Sequence, residues 1–164
     1  MKNMIERNEE RLKTLISQYQ QRVFALILYL IGGDQDKTYD ICASSFAEAM
    51  RAGFDLEQED AFLLRTIGIS LEKARLAKTL PSYDLLEFID LPDKEKRPLY
   101  LILKSLQSLD FEGRALVLLR NQLNLSYKKI AMATGISESD AKRKTVQALV
   151  LLREKVEEIL KHGQ

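Results

Sequence analysis

Residues 125–152 read Leu-Ser-Tyr-Lys-Lys-Ile-Ala-Met-Ala-Thr-Gly-Ile-Ser-Glu-Ser-Asp-Ala-Lys-Arg-Lys-Thr-Val-Gln-Ala-Leu-Val-Leu-Leu, two helical patterns joined by a turn at Gly135. The first pattern carries Ile130 and Ala131 inward. The second starts after Ser137 and carries Ala141, Thr145 or Val146, and Leu149 at helical spacing. Between those inward positions run Lys142, Arg143 and Lys144. A short helix, a glycine turn and a basic second helix suit a helix-turn-helix that reads duplex DNA. The turn must be tight, and the second helix must bring cations to phosphates and base edges. A helical hairpin with an ordinary solvated basic face has the same pattern.

Working outward, the last helix is expected over about 138–160, with Val150, Leu152, Val156 and Ile159 extending its apolar stripe. Its partner helix is expected over 126–133. Upstream, helical segments are expected from Leu99 to about Leu109 and, after an Asp110 cap, from Glu112 to about Leu123. In the first half, Met1 to about Arg11 is polar and reads as a loose extension. A helix follows over 12–31 until Gly32-Gly33-Asp34 stops it. Asp34 or Asp36 caps the next helix, which runs to about Ala52 with Tyr39, Cys42, Phe46 and Met50 inward. Asp60 caps a third, over 61–79, with Phe62, Leu63, Ile67, Leu71, Ala74 and Leu76 as apolar contacts and Pro81 as its terminator. All three prolines lie within 81–98, and Leu85, Leu86, Phe88 and Ile89 interrupt this acidic stretch. No sustained strand alternation occurs. The expected fold is all-α, in two small helical domains: an N-terminal bundle over 1–80, a linker over 81–98 and a C-terminal helix-turn-helix domain over 99–164.

Hydrophobic residues make up 46% of the 164, enough for a packed core, and the net charge is only +1. That near-balance hides a split. Residues 1–80 carry 11 basic and 12 acidic side chains, and residues 99–164 carry 11 and 7, so the positive excess sits with the glycine-turn stretch. Cys42 is the only cysteine, which excludes an intrachain disulfide and fits a reducing, cytoplasmic setting. The longest apolar run, residues 23–31, is far short of the roughly 20 residues that span a bilayer, so no membrane insertion is expected. One cysteine and a single terminal histidine, His162, make no zinc set. No glycine-rich phosphate loop follows a strand, and Glu59-Asp60 and Glu157-Glu158 read as helix-cap and solvated-face features. Neither an enzyme nor a cofactor is expected.

The first turns of the last helix hold the leading nucleic-acid candidates. Successive helical positions point about 100° apart, so Lys142, Arg143 and Lys144 cannot all face one base pair. One or two are expected near base edges and the rest at phosphates. Ser139 and Asp140 either approach bases or cap the helix. Lys128 and Lys129 on the preceding helix, with Arg120, suit phosphate contacts; Arg120 alternatively pairs with an acidic neighbour.

The chain resembles bacterial RNA polymerase sigma factors of the extracytoplasmic-function type, over nearly its whole length. In the second half the resemblance rests on Leu106, Leu109, Arg114, Leu118-Leu119-Arg120, Leu125-Ser126-Tyr127, Ile130-Ala131, Gly135-Ile136-Ser137, Lys142-Arg143, Ala148 and Leu152-Arg153. In the first half it rests on the 19–29 stretch, Gly33-Asp34, Asp40, Phe46 and the helix from Phe62. The resemblance implies a factor that binds core RNA polymerase, through its β′ and β subunits, and directs it to promoter DNA. It makes residues 99–164 the −35 reader and residues 1–80 the polymerase-binding and −10 domain, with an anti-sigma protein as a further partner. It also puts Asp40 at the polymerase β′ subunit; Glu48 and Arg51 are expected on the same helix surface from their spacing.

The chain departs from the family pattern at several points. Ala43, Ser44 and Ser45 stand where the family has Gln-Glu, and Gly68-Ile69-Ser70 where it has Asn and Asp. Phe62 stands for a tryptophan, Phe111 for a proline and Lys129 for an acidic residue. Basic residues thin to Lys73, Arg75 and Lys78, so weaker −10 recognition is expected. Two alternatives remain open: a sigma-like protein-interaction module without promoter opening, and a stand-alone helix-turn-helix repressor.

Overall fold

Nothing between Lys2 and Ile31 stops a helix: no Pro or Gly interrupts the run, and Glu, Arg, Leu and Gln are frequent in it. In the computed structural model of the chain, which describes residues 2–53, 58–77 and 92–162, helix α1 spans Lys2–Ile31. The expected loose extension up to Arg11 is therefore the first turns of α1. Leu15, Tyr19, Val23, Leu26, Ile27 and Leu30 form its buried line.

Helix α2, Gln35–Arg51, is capped by Asp34, whose carboxylate accepts a hydrogen bond from the Lys37 amide at 3.0 Å. Its buried line is Thr38, Ile41, Cys42, Ser45, Phe46 and Ala49. Tyr39, expected inward, is 67% exposed, and Met50 is half-buried. The helix turns its small side chains Thr38, Ser45 and Ala49 to its neighbours, and this rotation carries Tyr39 outward.

Helix α3 spans Glu59–Leu76 with Gln58 as its N-cap, so Asp60 lies in the first turn rather than at the cap. Phe62, Leu63, Ile67, Leu71 and Ala74 are buried as expected. Leu76 is not: it is the last residue of the helix and 75% exposed. Ala77 ends α3 in an extended conformation, and Pro81, the expected terminator, lies outside the described residues together with Leu85, Leu86, Phe88 and Ile89.

Helix α4, Asp93–Gln107, starts earlier than the expected Leu99 and carries Pro98 inside it. Proline has no N–H to donate to the preceding turn, so α4 absorbs one missing backbone bond there. Helix α5, Phe111–Asn121, is capped by Asp110, which accepts from the Gly113 amide at 2.7 Å. Helices α6, Tyr127–Thr134, and α7, Glu138–His162, complete an all-helical chain with no strand among the described residues.

Helices α1, α2 and α3 pack on one another, and α5, α6 and α4 pack around α7. The two sets touch where α3 meets α6 and α1 meets α5. Small hydroxyl residues are fully buried at several contacts. Thr38, Thr66, Ser70, Ser105 and Thr145 each donate to the carbonyl one turn back, at 2.6–2.9 Å. That bond satisfies the hydroxyl within its own helix and leaves a short side chain at the contact.

The packing separates residues that hydropathy alone does not. Leu119 has no exposure, whereas Val146 is 47% exposed on α7. Leu119→Ala is expected to cost about 2–5 kcal/mol and Val146→Ala no more than about 0.5 kcal/mol. Urea unfolding followed by circular dichroism checks both values; a similar midpoint loss in the two variants would contradict this core.

Candidate nucleic-acid interface

Helix α6 begins at Ser126, whose hydroxyl accepts from the Lys129 amide at 3.2 Å, and ends at Gly135. Gly135 has φ 78° and returns its amide to the Ala131 carbonyl at 2.9 Å, a left-handed C-cap. No atom crowds the place of a Cβ there, so glycine is favoured by backbone conformation rather than by space. Ser137 then caps α7 by accepting from the Asp140 amide at 3.1 Å. Two helices, Tyr127–Thr134 and Glu138–His162, thus follow one another across a short turn at Gly135, and the capping role weighed for Ser139 and Asp140 falls to Ser137.

Ala141, Thr145 and Ala148 seat α7 in the core, which fixes where its cations point. At about 100° per residue, Arg143 projects roughly 200° from Ala141, Lys142 roughly 100° to one side and Lys144 roughly 60° to the other. Lys142, Arg143 and Ser139 are exposed. Lys144 is turned back against α5, where its Nζ lies 3.0 Å from a Glu112 carboxylate oxygen. Gln147, not singled out in the sequence, shares the outward face, as does Val146, weighed there as the inward alternative to Thr145; both are exposed. Arg143 Nη1 donates to Gln147 Oε1 at 3.4 Å. Their one sequence signal is the three- and four-residue spacing from Arg143.

The remaining candidates divide by their partners. Lys128 is exposed, but Lys129 is ion-paired with Asp60 of α3 at 2.9 Å. Arg120 donates to the Leu125 carbonyl at 2.8 Å and stacks over the Tyr127 ring at 4.8 Å, joining the end of α5 to the start of α6. It finds a backbone carbonyl and a ring rather than the acidic neighbour considered from sequence. Asp140 pairs with Arg143 at 2.9 Å.

The second candidate surface lies on α2. Asp40, Glu48 and Arg51 are all exposed. Asp40 and Arg51 fall within roughly 20° of one another around the helix. Glu48 is ion-paired with Lys73 of α3 at 2.9 Å, and Arg51 donates to the Ala47 carbonyl at 3.3 Å. Beside them an apolar groove between α1 and α2 is lined by Ile16, Phe24, Tyr39, Phe46 and Met50. The Cys42 thiol borders that groove, and burial pushes its pKa up to about 11, which keeps it protonated at neutral pH. No three His, Cys, Asp or Glu side chains converge as a metal set among the described residues. No described helix is long and apolar enough to cross a membrane.

No protein-family model matches this chain, and no curated protein matches it.

The Arg143 guanidinium and the Ser137 hydroxyl, both hydrogen-bonded to Asp140, hold its carboxyl below the usual carboxylate range. A depressed folded-state value contributes stability above the unfolded value of about 3.9, and this is lost as pH falls through the folded value. Carboxyl-detected NMR is expected to place the Asp140 midpoint below the ordinary aspartate range, and to move it upward in Arg143→Ala. An Asp140 midpoint unaffected by that substitution would remove the pair from α7.

Proposed function

We propose that this protein is a sigma-like transcription initiation factor that brings core RNA polymerase to promoter DNA. The observation that carries the proposal is the α6–Gly135–α7 arrangement, with Ser139, Lys142 and Arg143 on the open face of the first turns of α7. In this reading α7 enters the major groove, Arg143 and Gln147 reach base edges, and Lys142 and Lys128 meet phosphates. Residues 99–164 act as the −35 reader, residues 1–80 as the polymerase-binding and −10 part and 81–98 as the connector. The cytoplasm is the site of action, and an anti-sigma protein is a candidate regulator. The resemblance set out from sequence supplies the polymerase and the promoter; the geometry supplies an open basic face.

A specific observation favours a second reading, a sigma-like interaction module that binds polymerase without opening DNA. The α3 stretch that would serve the −10 element is engaged internally. Lys73 binds Glu48 and the Ser44 hydroxyl, and Arg75 lies over the Phe111 ring at 5.3 Å. Ser70 is buried. Weak −10 recognition follows from the same engagement. Run-off transcription with purified core polymerase and a promoter fragment from upstream of this protein's own gene separates the two. Promoter-dependent transcript supports the first, and core binding without transcript supports the second.

Lys142→Ala/Arg143→Ala is expected to weaken duplex binding with unchanged helical content. The logarithmic salt slope should fall by roughly one unit for each cation that met a phosphate. Equal affinity and equal slope in the double variant would reject this face.

On the polymerase side, Asp40→Lys is expected to reduce capture of core polymerase by the full chain. The cost is about 2–5 kcal/mol if Asp40 is a buried interface charge and much less at a rim. Undiminished capture would take Asp40 out of the docking surface.

A further inference from the structure

A chain of polar side chains runs along the outward face of α7, each bonded to the next. The Ser137 hydroxyl accepts from the Asp140 amide at 3.1 Å and is hydrogen-bonded to the Asp140 carboxylate as well. Asp140 Oδ1 accepts from Arg143 Nη2 at 2.9 Å, and Arg143 Nη1 donates to Gln147 Oε1 at 3.4 Å. Asp140, Arg143 and Gln147 fall within roughly 60° of one another around the helix, on the side turned away from Ala141, Thr145 and Ala148. Arg143 is therefore held at both terminal nitrogens of its guanidinium. Neither neighbouring cation is held on this face: Lys142 is exposed, and Lys144 is turned back to Glu112.

These bonds leave the guanidinium with capacity to spare. It has five N–H donors, and two are used. The rest suffice for two parallel bonds to the O6 and N7 acceptors of one guanine. Because the group is planar, holding two of its nitrogens fixes the plane in which the other donors lie. The Asp140–Arg143 pair does little for stability, since an exposed ion pair within one turn is weak. It also sets a carboxylate on a face that would meet a polyanion, which opposes binding to DNA of every sequence. The helix dipole does not require Asp140 for itself, because Glu138 supplies an acid to the same first turn.

We infer that Asp140 is a positioning residue for base readout: it holds Arg143 in the orientation that meets a guanine, so that α7 gives up general DNA affinity for preference at one base pair. The inference rests on the DNA-binding reading of α7 proposed above. A free arginine swings readily to a phosphate, and a phosphate contact carries no sequence information. An arginine fixed over the base edge presents donors only. Guanine answers with two acceptors, whereas adenine sets its N6 donor against one of them. Ser137 fixes Asp140, Asp140 fixes Arg143, and Gln147 closes the far side. Holding one rotamer-rich side chain in its bound form is worth about two- to tenfold in affinity, and that gain falls on the matching base alone.

Selection from a pool of randomised duplexes by the full chain, with and without core polymerase, tests this. Competition between the selected duplex and its single-base-pair variants then gives the preference at each position. The wild type is expected to prefer guanine at one position by about five- to hundredfold. Arg143→Ala should abolish that preference. Asp140→Ala should lower it by about two- to tenfold at the same position, while affinity for a duplex of mixed sequence stays equal or rises. Asp140→Asn keeps an acceptor without the charge and should fall between; it carries the test should Asp140→Ala fail to fold by circular dichroism. An unchanged preference in the Asp140 variants overturns the positioning role, as does a guanine preference that survives Arg143→Ala. Loss at a different base pair also overturns it, since Asp140 would then read that base itself. Salt-dependent duplex binding with no sequence enriched overturns this inference and leaves the DNA reading standing. No duplex binding by the wild type under either condition overturns the DNA reading, and this inference with it.

Discussion

A single left-handed residue, Gly135, sets the direction from which α7 leaves α6. Its φ of 78° closes α6 with a bond to Ala131 and leaves only Ile136 and Ser137 before α7 begins. With so short a connection, the crossing of the two helices is settled by that backbone conformation together with the apolar seat of α7. Ala141, Thr145 and Ala148 then accept the close approach of α5 and α6 because their side chains are short or already bonded to their own helix. The outward face of α7 is what remains. Ser139, Arg143 and Gln147 therefore share an exposed side as a consequence of how the opposite side is filled.

Much of the fold was legible because its signals are local. Asp34, Asp110 and Ser126 cap the helices that follow them, and Gly135 ends α6, each through a bond to a backbone group within a few residues. Helix type and order follow from apolar spacing, which the core reproduces for Phe62, Leu63, Ile67, Leu71 and Ala74. The failures have a common physical cause: they depend on which neighbour a helix meets. Tyr39 and Thr38 lie about 100° apart around α2, and local pattern favours the aromatic as the inward one. The packing of α1 and α3 puts the threonine inside. In the same way Val146 and Thr145 compete for the core, and the threonine takes it because its hydroxyl bonds Ala141. The start of α1 failed differently: a polar stretch without breakers extends an adjacent helix at little cost, whatever its hydropathy.

The candidate site was legible in composition and not in detail. A run of three cations states that charge is concentrated, but only the fold decides which charge is available. Lys144 meets Glu112, distant in sequence, and Lys129 meets Asp60, more distant still. Such pairs contribute little to stability at their exposure. They matter for what they remove from the surface, because a paired lysine presents a dipole to a phosphate where an unpaired one presents a full charge. The open cations on α6 and the first turns of α7 are then Lys128 and Lys142, with Arg143 shared between Asp140 and Gln147.

Past Val150, α7 neutralises itself: Arg153 binds Glu157 at 3.2 Å and Lys155 binds Glu158 at 3.0 Å, each within one turn. That half of α7 turns Leu152, Val156 and Ile159 toward partial burial, and α7 packs against α4. Its work is to anchor α4, which carries a proline in mid-helix and so needs tertiary support to hold its shape. One continuous helix thus has two regimes. Its first turns keep cations open and short side chains inward, and its later turns pair their charges and brace a neighbour. The exposed Lys142 and Arg143 lie at the end nearest Gly135, which is also the end whose orientation that residue controls.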